Sequence, residues 1–317
     1  MRVVVAGATG VIGRQLVPLL TTAGHEVVAL SRNPGPDRSG GTSGVRTVAV
    51  DALDRGALGA VVREAKPDAV VHLLTAIPAE IDPRRMERDF AVTNRLRTEG
   101  TTTLMEAAWD AGAGRFLVQG LAYAYDPAGR GLATEDEPLW ADPPRQFAKT
   151  LDALKSLERL TAAADGLVLR FGHLYGPGTA YDRDNGSTIR QIRARKMPVV
   201  GDGSGTFSFT HSRDAALAVL TALAHPEVKG AVNVVDDEPA ELADWLPAVA
   251  ALLGAPAPQR VPTVVARVAA GGWGAAFMTR LRGADNTRAR RDLTWSPQYG
   301  SWRLGFAAEL AGKPAAD

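Results

Sequence analysis

Residues 3 to 13, VVVAGATGVIG, decide the fold of this chain. An apolar run typical of a buried strand is followed by glycines at Gly7, Gly10 and Gly13 and then by helix-forming residues. This spacing predicts a tight turn out of the strand, a phosphate close to the backbone at Gly10, and a helix packed closely on the sheet. A pyrophosphate is expected at the helix N-terminus, where free N–H groups and the positive end of the helix dipole favour an anion.

A second strand follows after one helix length. The apolar run from His25 to Leu30 completes a strand, helix, strand unit with the first stretch. Glycine is common in this chain, at 33 of 317 residues, so a purely structural glycine turn is the alternative interpretation. The position of the glycines between two strands favours a dinucleotide site.

Short apolar runs and helical patterns alternate through the first half of the chain. The apolar runs lie at 45–50, 69–74, 116–119 and 167–171, with helical patterns at 57–65, 98–111 and 151–163. This alternation predicts an α/β fold with a doubly wound parallel sheet of the Rossmann type.

The amino-acid composition changes after Arg170, where glycine- and proline-rich segments such as YGPG at 175–178 appear. We therefore predict an NAD(P)-binding Rossmann domain over residues 1–170 and a smaller C-terminal substrate-binding lobe over residues 171–317. A segment near 208–225 is expected to return to the Rossmann domain.

The overall charge is balanced, with 36 Lys and Arg residues against 35 Asp and Glu residues. No basic field is available to recruit an anionic partner, so we expect a small-molecule substrate and neither nucleic acid nor membrane. The chain has no cysteine and its five histidines are isolated, so neither a disulfide nor a metal site is predicted. We expect a monomer or a homodimer.

The start of the chain predicts a cytoplasmic location. Met1 and Arg2 lead directly into the first strand, which leaves no room for a separate signal peptide. No apolar run approaches the roughly 20 residues needed to span a bilayer.

Several motifs follow one another in a fixed order. They are GATGVIG from Gly7, DALD from Asp51, HLLTA from His72, GTTTLMEAA from Gly100, LRFGHLYGPG from Leu169, FTHSRDAA from Phe209, VNVVDDEP from Val232 and LTWSPQY from Leu293. Over nearly the whole chain, this order resembles the extended short-chain dehydrogenase/reductase family, also called the NAD-dependent epimerase/dehydratase family. The resemblance implies a nicotinamide cofactor bound to a Rossmann domain.

The resemblance also implies which residues hold the cofactor. They belong to the glycine loop, the end of the second strand, the DALD motif, the strand beneath the cofactor and the ends of two later strands. The implied residues are Gly7, Thr9, Gly10, Val11, Ile12, Gly13, Ser31, Arg32, Asp51, Ala52, Leu73, Leu74, Thr75, Gln119, Gly120, Phe171, Gly172 and His173.

The end of the second strand bears on the choice of cofactor. An acidic residue there would accept hydrogen bonds from the ribose 2′-hydroxyl of NAD, but this chain has Ser31 and Arg32. Arg32 is suited to hold a 2′-phosphate and to stack on adenine. We predict NADP(H), with NAD(H) as the alternative if Arg32 is only a solvated arginine in a loop.

By resemblance, catalysis requires a Tyr followed four residues later by a Lys on one helix face. The lysine lowers the pKa of the phenol, and the phenol exchanges a proton with the substrate oxygen. None of the five tyrosines in this chain has a lysine at that spacing. Depending on the register, the family tyrosine falls on Thr150 or Leu151 and its lysine on Leu154 or Lys155. The pair is missing.

Four residues are candidates for the missing role. Tyr123 and Tyr125 follow a strand end that should face the nicotinamide, Lys149 lies on the next helix, and His173 follows a later strand. Packing, surface charge and the ordering of a turn are the plainer interpretations. Arg97 occupies the position of a family asparagine, and its role is open, with a buried ion pair as the alternative.

We predict an NADPH-dependent ketoreductase for a small aromatic or polycyclic, polyketide-like metabolite of antibiotic biosynthesis. A positioned acid contributes about 10² to 10⁴ in rate, whereas proximity contributes about 7 to 11 kcal/mol, so reduction survives if substrate or water supplies the proton. One alternative is a non-catalytic NADP-binding sensor or partner-binding module. Another is a nucleotide-sugar epimerase or dehydratase, which needs a base to oxidise an unactivated alcohol first.

Overall fold

The computed structural model describes residues 1–33 and 44–310. Strands and helices alternate through the first half of the chain. The elements are β1 (Arg2–Ala6), α1 (Val11–Thr22), β2 (Glu26–Ser31), β3 (Val45–Ala49), α2 (Arg55–Ala65), β4 (Ala69–His72), α3 (Met86–Asp89), α4 (Ala91–Arg95), a π-helical turn (Leu96–Gly100), α5 (Thr101–Asp110), β5 (Arg115–Leu121), α6 (Arg145–Ala163) and β6 (Leu167–Phe171).

The second half contains shorter strands. Its elements are β7 (His173–Tyr175), α7 (Ser187–Arg193), β8 (Val199–Val200), β9 (Thr206–Phe207), β10 (Phe209–His211), α8 (Ser212–Ala224), β11 (Gly230–Val234), β12 (Ala240–Glu241), α9 (Leu242–Leu252), β13 (Arg260–Val261), α10 (Thr263–Thr279), α11 (Thr287–Asp292) and α12 (Trp302–Leu310).

Seven strands form one parallel sheet in the order β11-β6-β5-β4-β1-β2-β3. Val4 of β1 pairs in register with Val28 of β2 on one side and with Val70 of β4 on the other. The strand order therefore reverses at β1, and the carboxyl ends of β1 and β4 form the edge where ligands bind in such sheets. The predicted Rossmann fold is confirmed.

Helices cover both faces of the sheet because β1 is apolar on both. Val3 and Val5 pack with Leu16 of α1 and Ala215 of α8, whereas Val4 packs with residues of α2 and α5 on the opposite face. Each such fully buried side chain contributes about 1.5–3 kcal/mol to folding. The two cores fix the sheet and, with it, the edge that carries the site.

Most of the second half packs around a separate aromatic core. The large, fully buried side chains that the second half contributes to this core are Tyr175, Phe207, Phe209, Trp245, Trp302 and Phe306. Helix α8, within the segment 208–225, contacts α1 of the Rossmann half. Strand β11 lies beyond that segment and also joins the sheet beside β6, because Val232 and Val234 are apolar and fully buried there. The sequence alone did not predict this second return.

Candidate functional site

The glycine turn after β1 has the geometry that its sequence predicts. Gly7 has φ +94°, and its N–H donates to the carbonyl oxygen of Leu30 at 3.1 Å. A β-carbon at Gly7 would lie 2.8 Å from the carbonyl carbon of Leu73, and one at Gly13 only 2.3 Å from the carbonyl oxygen of Gly7. A side chain at either position would force the backbone to move, so the turn requires glycine.

The N-terminus of α1 is open. Its N-cap residue, Gly10, provides no side-chain cap. Apart from its chain neighbours, the only described atom within 4 Å of a β-carbon built there is the carbonyl oxygen of Gly7 at 3.2 Å. The first N–H groups of the helix, which include those of Val11 and Ile12, thus lack a side-chain acceptor from the cap. This arrangement fits the pyrophosphate of a dinucleotide.

A cavity of about 220 Å³ lies at this edge of the sheet. It brings together ten of the predicted cofactor residues, namely Gly7, Thr9, Gly10, Ser31, Arg32, Asp51, Ala52, Leu73, Leu74 and Thr75. Sequence reasoning missed other lining residues, among them Asn33, Val50, Leu53, Leu58, Val92 and Leu96. Asn33 was signalled by its place beside Arg32, whereas Val92 and Leu96 arrive from a helical segment that no motif marks.

The adenine end of this cavity is built on β2. The hydroxyls of Thr9 and Ser31 are hydrogen-bonded at 2.8 Å, and the Asn33 N–H donates to the Ser31 hydroxyl at 3.3 Å. Arg32 is exposed, and within the described parts of the chain it forms no ion pair. Asp51, from the neighbouring loop, accepts the Leu53 N–H at 3.0 Å. These contacts leave the guanidinium of Arg32 available to a phosphate.

Other predicted cofactor residues lie at the carboxyl ends of β5 and β6. Gln119 is half-buried, and Phe171 is buried. A β-carbon at Gly120 would lie 2.6 Å from the side chain of Val168, and one at Gly172 would lie 2.4 Å from the Ser208 carbonyl oxygen. These two glycines therefore allow close packing of the strands, a role that the motifs alone do not reveal.

His173 and Tyr123 lie together at this end. Their rings stack with centroids 4.4 Å apart, and Phe277 approaches both rings edge-on. Nδ1 of His173 donates to the carbonyl oxygen of Ser208 at 3.1 Å, which leaves Nε2 as an acceptor. This buried atom has no partner in the described part of the chain. Burial lowers the pKa of His173 to about 4. The ring is therefore neutral near pH 7 and presents a lone pair rather than a proton.

Arg97 lies in the π-helical turn, and its residue is 4% exposed. Its Nη1 atom is buried and has no hydrogen-bond partner within residues 1–33 and 44–310. Burial lowers the pKa of Arg97 to about 10, and the electrostatic interaction with Tyr123 acts in the opposite direction. The guanidinium is still cationic at neutral pH. In the described residues no acid pairs with it, so the expected alternative of a buried ion pair is contradicted.

The other two catalytic candidates lie elsewhere. The hydroxyl of Tyr125 is buried, donates to Oδ1 of Asn233 at 2.7 Å and accepts from Nη1 of Arg170 at 2.7 Å. Burial raises the pKa of Tyr125 to about 12. Lys149 forms an exposed ion pair with Glu87 on the outer face of α6. The structure therefore brings only Tyr123 and His173 together among the four candidates.

Helix α6 lacks the tyrosine and lysine pair of the family in both possible registers. Thr150, Leu151 and Leu154 are each 1% exposed, and the Thr150 hydroxyl accepts from Nδ2 of Asn94 at 3.4 Å. The ammonium of Lys155 donates to the carbonyl oxygen of Trp140 at 3.2 Å. Within the described residues this helix thus presents no phenol to the cleft.

A model of the NAD dependent epimerase/dehydratase family matches residues 3–235. The chain belongs to this family. It is 46% identical over 317 residues to 3-diazoavenalumate denitrifying reductase from a Streptomyces species, covering 98% of this chain and 100% of that relative. The solved human epimerase family protein SDR39U1 with NADPH superposes with a TM-score of 0.74 at 23% identity, covering 98% of this chain and 99% of that one.

A second solved structure, MoeE5 in complex with UDP-glucuronic acid and NAD, superposes with a TM-score of 0.72 at 26% identity and covers 98% of both chains. Family and site geometry together identify this member of the NAD-dependent epimerase/dehydratase family as an enzyme of the oxidoreductase or epimerase type with a nicotinamide cofactor. Over residues 1–33 and 44–310, no helix has the length and apolarity to cross a membrane.

Proposed function

We propose that this family member is an NADPH-dependent reductase of a small aromatic metabolite, and that the group it reduces needs no proton from the protein. The observation that carries this proposal is the composition of the cleft beside Tyr123. Neither register of the family pair provides a phenol, and His173 offers a lone pair. Burial also raises the pKa of Tyr123, which makes its phenol a weaker acid.

A diazo group on an aromatic ring meets this requirement. A reduced nicotinamide, when bound, supplies a hydride. In an arenediazonium ion the terminal nitrogen is the electrophilic atom. Hydride addition to that nitrogen gives an aryldiazene. Its N–H proton passes to water, the bond between the ring carbon and nitrogen breaks to release dinitrogen, and the ring carbon takes a proton from water. The whole-length relative is named as a denitrifying reductase of a diazo compound, and this supports the same class of substrate here.

An aromatic ketone with a neighbouring hydroxyl is the second candidate. Its carbonyl would be activated by the hydroxyl of the substrate, and the cation of Arg97 near Tyr123 supports stabilisation of a developing alkoxide. A nucleotide-sugar epimerase is disfavoured, because it must first oxidise an unactivated alcohol, which requires a base.

The test is turnover with one substrate of each class. The purified protein is mixed with NADPH and either an ortho-hydroxyarenediazonium ion or ortho-hydroxyacetophenone, and loss of the reduced cofactor is followed by absorbance. We expect turnover and dinitrogen release with the diazonium ion. Because hydrogen on the terminal nitrogen exchanges with water, deuterium from labelled NADPH should be absent from the arene, whereas deuterated water should label it.

The other outcomes identify the alternatives. Turnover of the ketone alone, with the cofactor's deuterium retained on the carbinol carbon, would replace the diazo proposal by ketone reduction. No turnover with either substrate, while NADPH still binds, would favour a non-catalytic NADP-binding protein.

A further inference from the structure

Among the residues that the structure describes, Arg97 is a buried cation without a counter-ion. Its residue is 4% exposed, Nη1 has no partner, and no described acid pairs with it. A charge removed from water is strongly destabilising unless an opposite charge or several acceptors surround it. Folding alone gives no reason to keep an arginine at this position.

The nearest ionisable groups provide no anion. His72 is neutral, because burial lowers its pKa to about 4. Its Nδ1 accepts the Leu74 N–H at 3.1 Å, and its Nε2 lies 3.0 Å from the hydroxyl of Thr101. Burial raises the pKa of Tyr123, so this phenol is also uncharged at neutral pH.

The bound cofactor does not supply the anion either. Its phosphates are expected at the open N-terminus of α1 and beside Arg32. The charge of Arg97 interacts instead with His72 at the end of β4 and with Tyr123 after β5. The nicotinamide half of a dinucleotide carries no negative charge beyond the pyrophosphate. The missing anion therefore has to come from the second ligand of the cleft.

We propose that Arg97 binds an anionic oxygen, a carboxylate or a phenolate, of an aromatic substrate whose ring lies against Tyr123. This inference rests on the proposed reduction of a small aromatic metabolite. One buried acceptor that has no partner among the described residues, Nε2 of His173, belongs to the ring stacked on Tyr123. It complements a substrate that carries a hydroxyl as well as an anion. Planar guanidinium recognises both kinds of oxyanion by paired hydrogen bonds.

The test measures binding instead of turnover, so its result is independent of the reduced group. Benzoate, para-nitrophenolate and neutral benzamide are titrated by calorimetry into the full protein saturated with NADP⁺. Variants Arg97→Met and Arg97→Lys are compared with Arg95→Met, which removes an exposed arginine of the same helical segment that pairs with Glu99.

We expect Arg97→Met to weaken binding of the better anion about 30-fold or more, because one partner of a desolvated charge pair is lost. Arg97→Lys should retain part of that affinity, benzamide should bind all variants equally, and Arg95→Met should match the parent. Benzoate binding tighter than para-nitrophenolate identifies a carboxylate as the recognised group, and the reverse order identifies a phenolate.

Two further measurements make the proposal falsifiable. Arg97→Met should leave the Kd of NADPH unchanged and should raise the Tm, because an unpaired buried charge is removed. A weakened Kd for NADPH with unchanged anion binding would make Arg97 a cofactor residue. A lowered Tm with unchanged anion binding would make it a structural cation. Either result overturns the proposal.

Discussion

The two ends of the cleft are built in different ways. At the glycine-loop end, the polar groups satisfy one another, since the backbone turn at Gly7 bonds to Leu30 and the side-chain hydroxyls of Thr9 and Ser31 bond to each other. At the opposite end, beyond β4 and β5, side chains make the site, and two buried atoms, Nη1 of Arg97 and Nε2 of His173, have no partner among the described residues.

This difference separates what folding needs from what chemistry needs. A backbone turn that satisfies its own hydrogen bonds stabilises the fold and also prepares the anion site at no additional cost. Buried polar atoms without partners are destabilising, and a protein retains them where a ligand completes them. Binding at the glycine-loop end should therefore be sensitive to substitutions that change shape, and binding at the opposite end to substitutions that change charge.

The largest expected effect is at the glycine-loop end. Gly13→Ala places a β-carbon 2.3 Å from the carbonyl oxygen of Gly7, which forces the turn to shift. Misplacement of about 1 Å commonly costs about 100-fold, and we expect a loss of that size in NADPH affinity. The measurement is a fluorescence titration of NADPH. Gly114→Ala is the matched control, because a β-carbon there meets nothing within 4 Å. Equal affinity in both variants would contradict the shape argument.

A smaller effect is expected at the adenine edge, where a charge rather than a shape is recognised. Arg32→Ala should lower the ratio of kcat/KM for NADPH to that for NADH about 10-fold or more, since a charged hydrogen bond to the 2′-phosphate contributes about 1.5–3 kcal/mol. Steady-state rates with both cofactors check this. Arg95→Met, which removes an exposed arginine, serves as the control. An unchanged ratio of kcat/KM values in Arg32→Ala would mean that Arg32 is only solvated.

The glycine-loop end was largely predictable from the sequence, because its information is local. Gly7, Gly10 and Gly13 are close in the chain, and the conformation of each follows from the steric demands of one strand, one turn and one helix. The strand pattern likewise specifies the sheet, since apolar residues on both faces of β1 require helices on both sides.

The other end was not predictable, because its contacts join distant segments. The Ser208 carbonyl accepts the Nδ1 proton of His173, Asn233 accepts the hydroxyl proton of Tyr125, and Nη1 of Arg97 has no partner among the described residues. Two tyrosines with similar sequence surroundings, Tyr123 and Tyr125, therefore have different environments. Sequence reasoning identified both as candidates and had no means to separate them.

Those two tyrosines give a matched pair of variants. Tyr125→Phe removes the buried hydroxyl that bonds to Oδ1 of Asn233 and to Nη1 of Arg170, and we expect the free energy of unfolding to fall by about 1–3 kcal/mol. Tyr123→Phe should keep the stability of the parent, because the Tyr123 hydroxyl forms no hydrogen bond among the described contacts. This variant should change the KM for the substrate instead. Urea denaturation and steady-state kinetics distinguish the two. Lost stability in Tyr123→Phe would reverse the assignment.

The smallest expected effect concerns the pH dependence of kcat/KM, for which we expect no change near neutral pH. A general acid of ordinary histidine type would produce a change in kcat/KM near pH 6.5, the usual histidine pKa. Here burial lowers the pKa of His173 to about 4, so it gains charge only as the pH falls through that value. Burial lowers the pKa of Arg97 to about 10, so its charge is lost only as the pH rises through that value.

The profile of kcat/KM for a substrate that does not itself titrate should therefore be flat between about pH 5 and pH 9. Measurement in buffers of constant ionic strength checks this, with His173→Gln as the comparison, because that variant removes the lone pair of Nε2 from this position. A limb near pH 6.5 that disappears in His173→Gln would show that His173 donates a proton after all. The end of the cleft opposite the glycine loop would then contain a protein acid. The contrast between a glycine-loop end that satisfies its own hydrogen bonds and an opposite end completed by the substrate would fail.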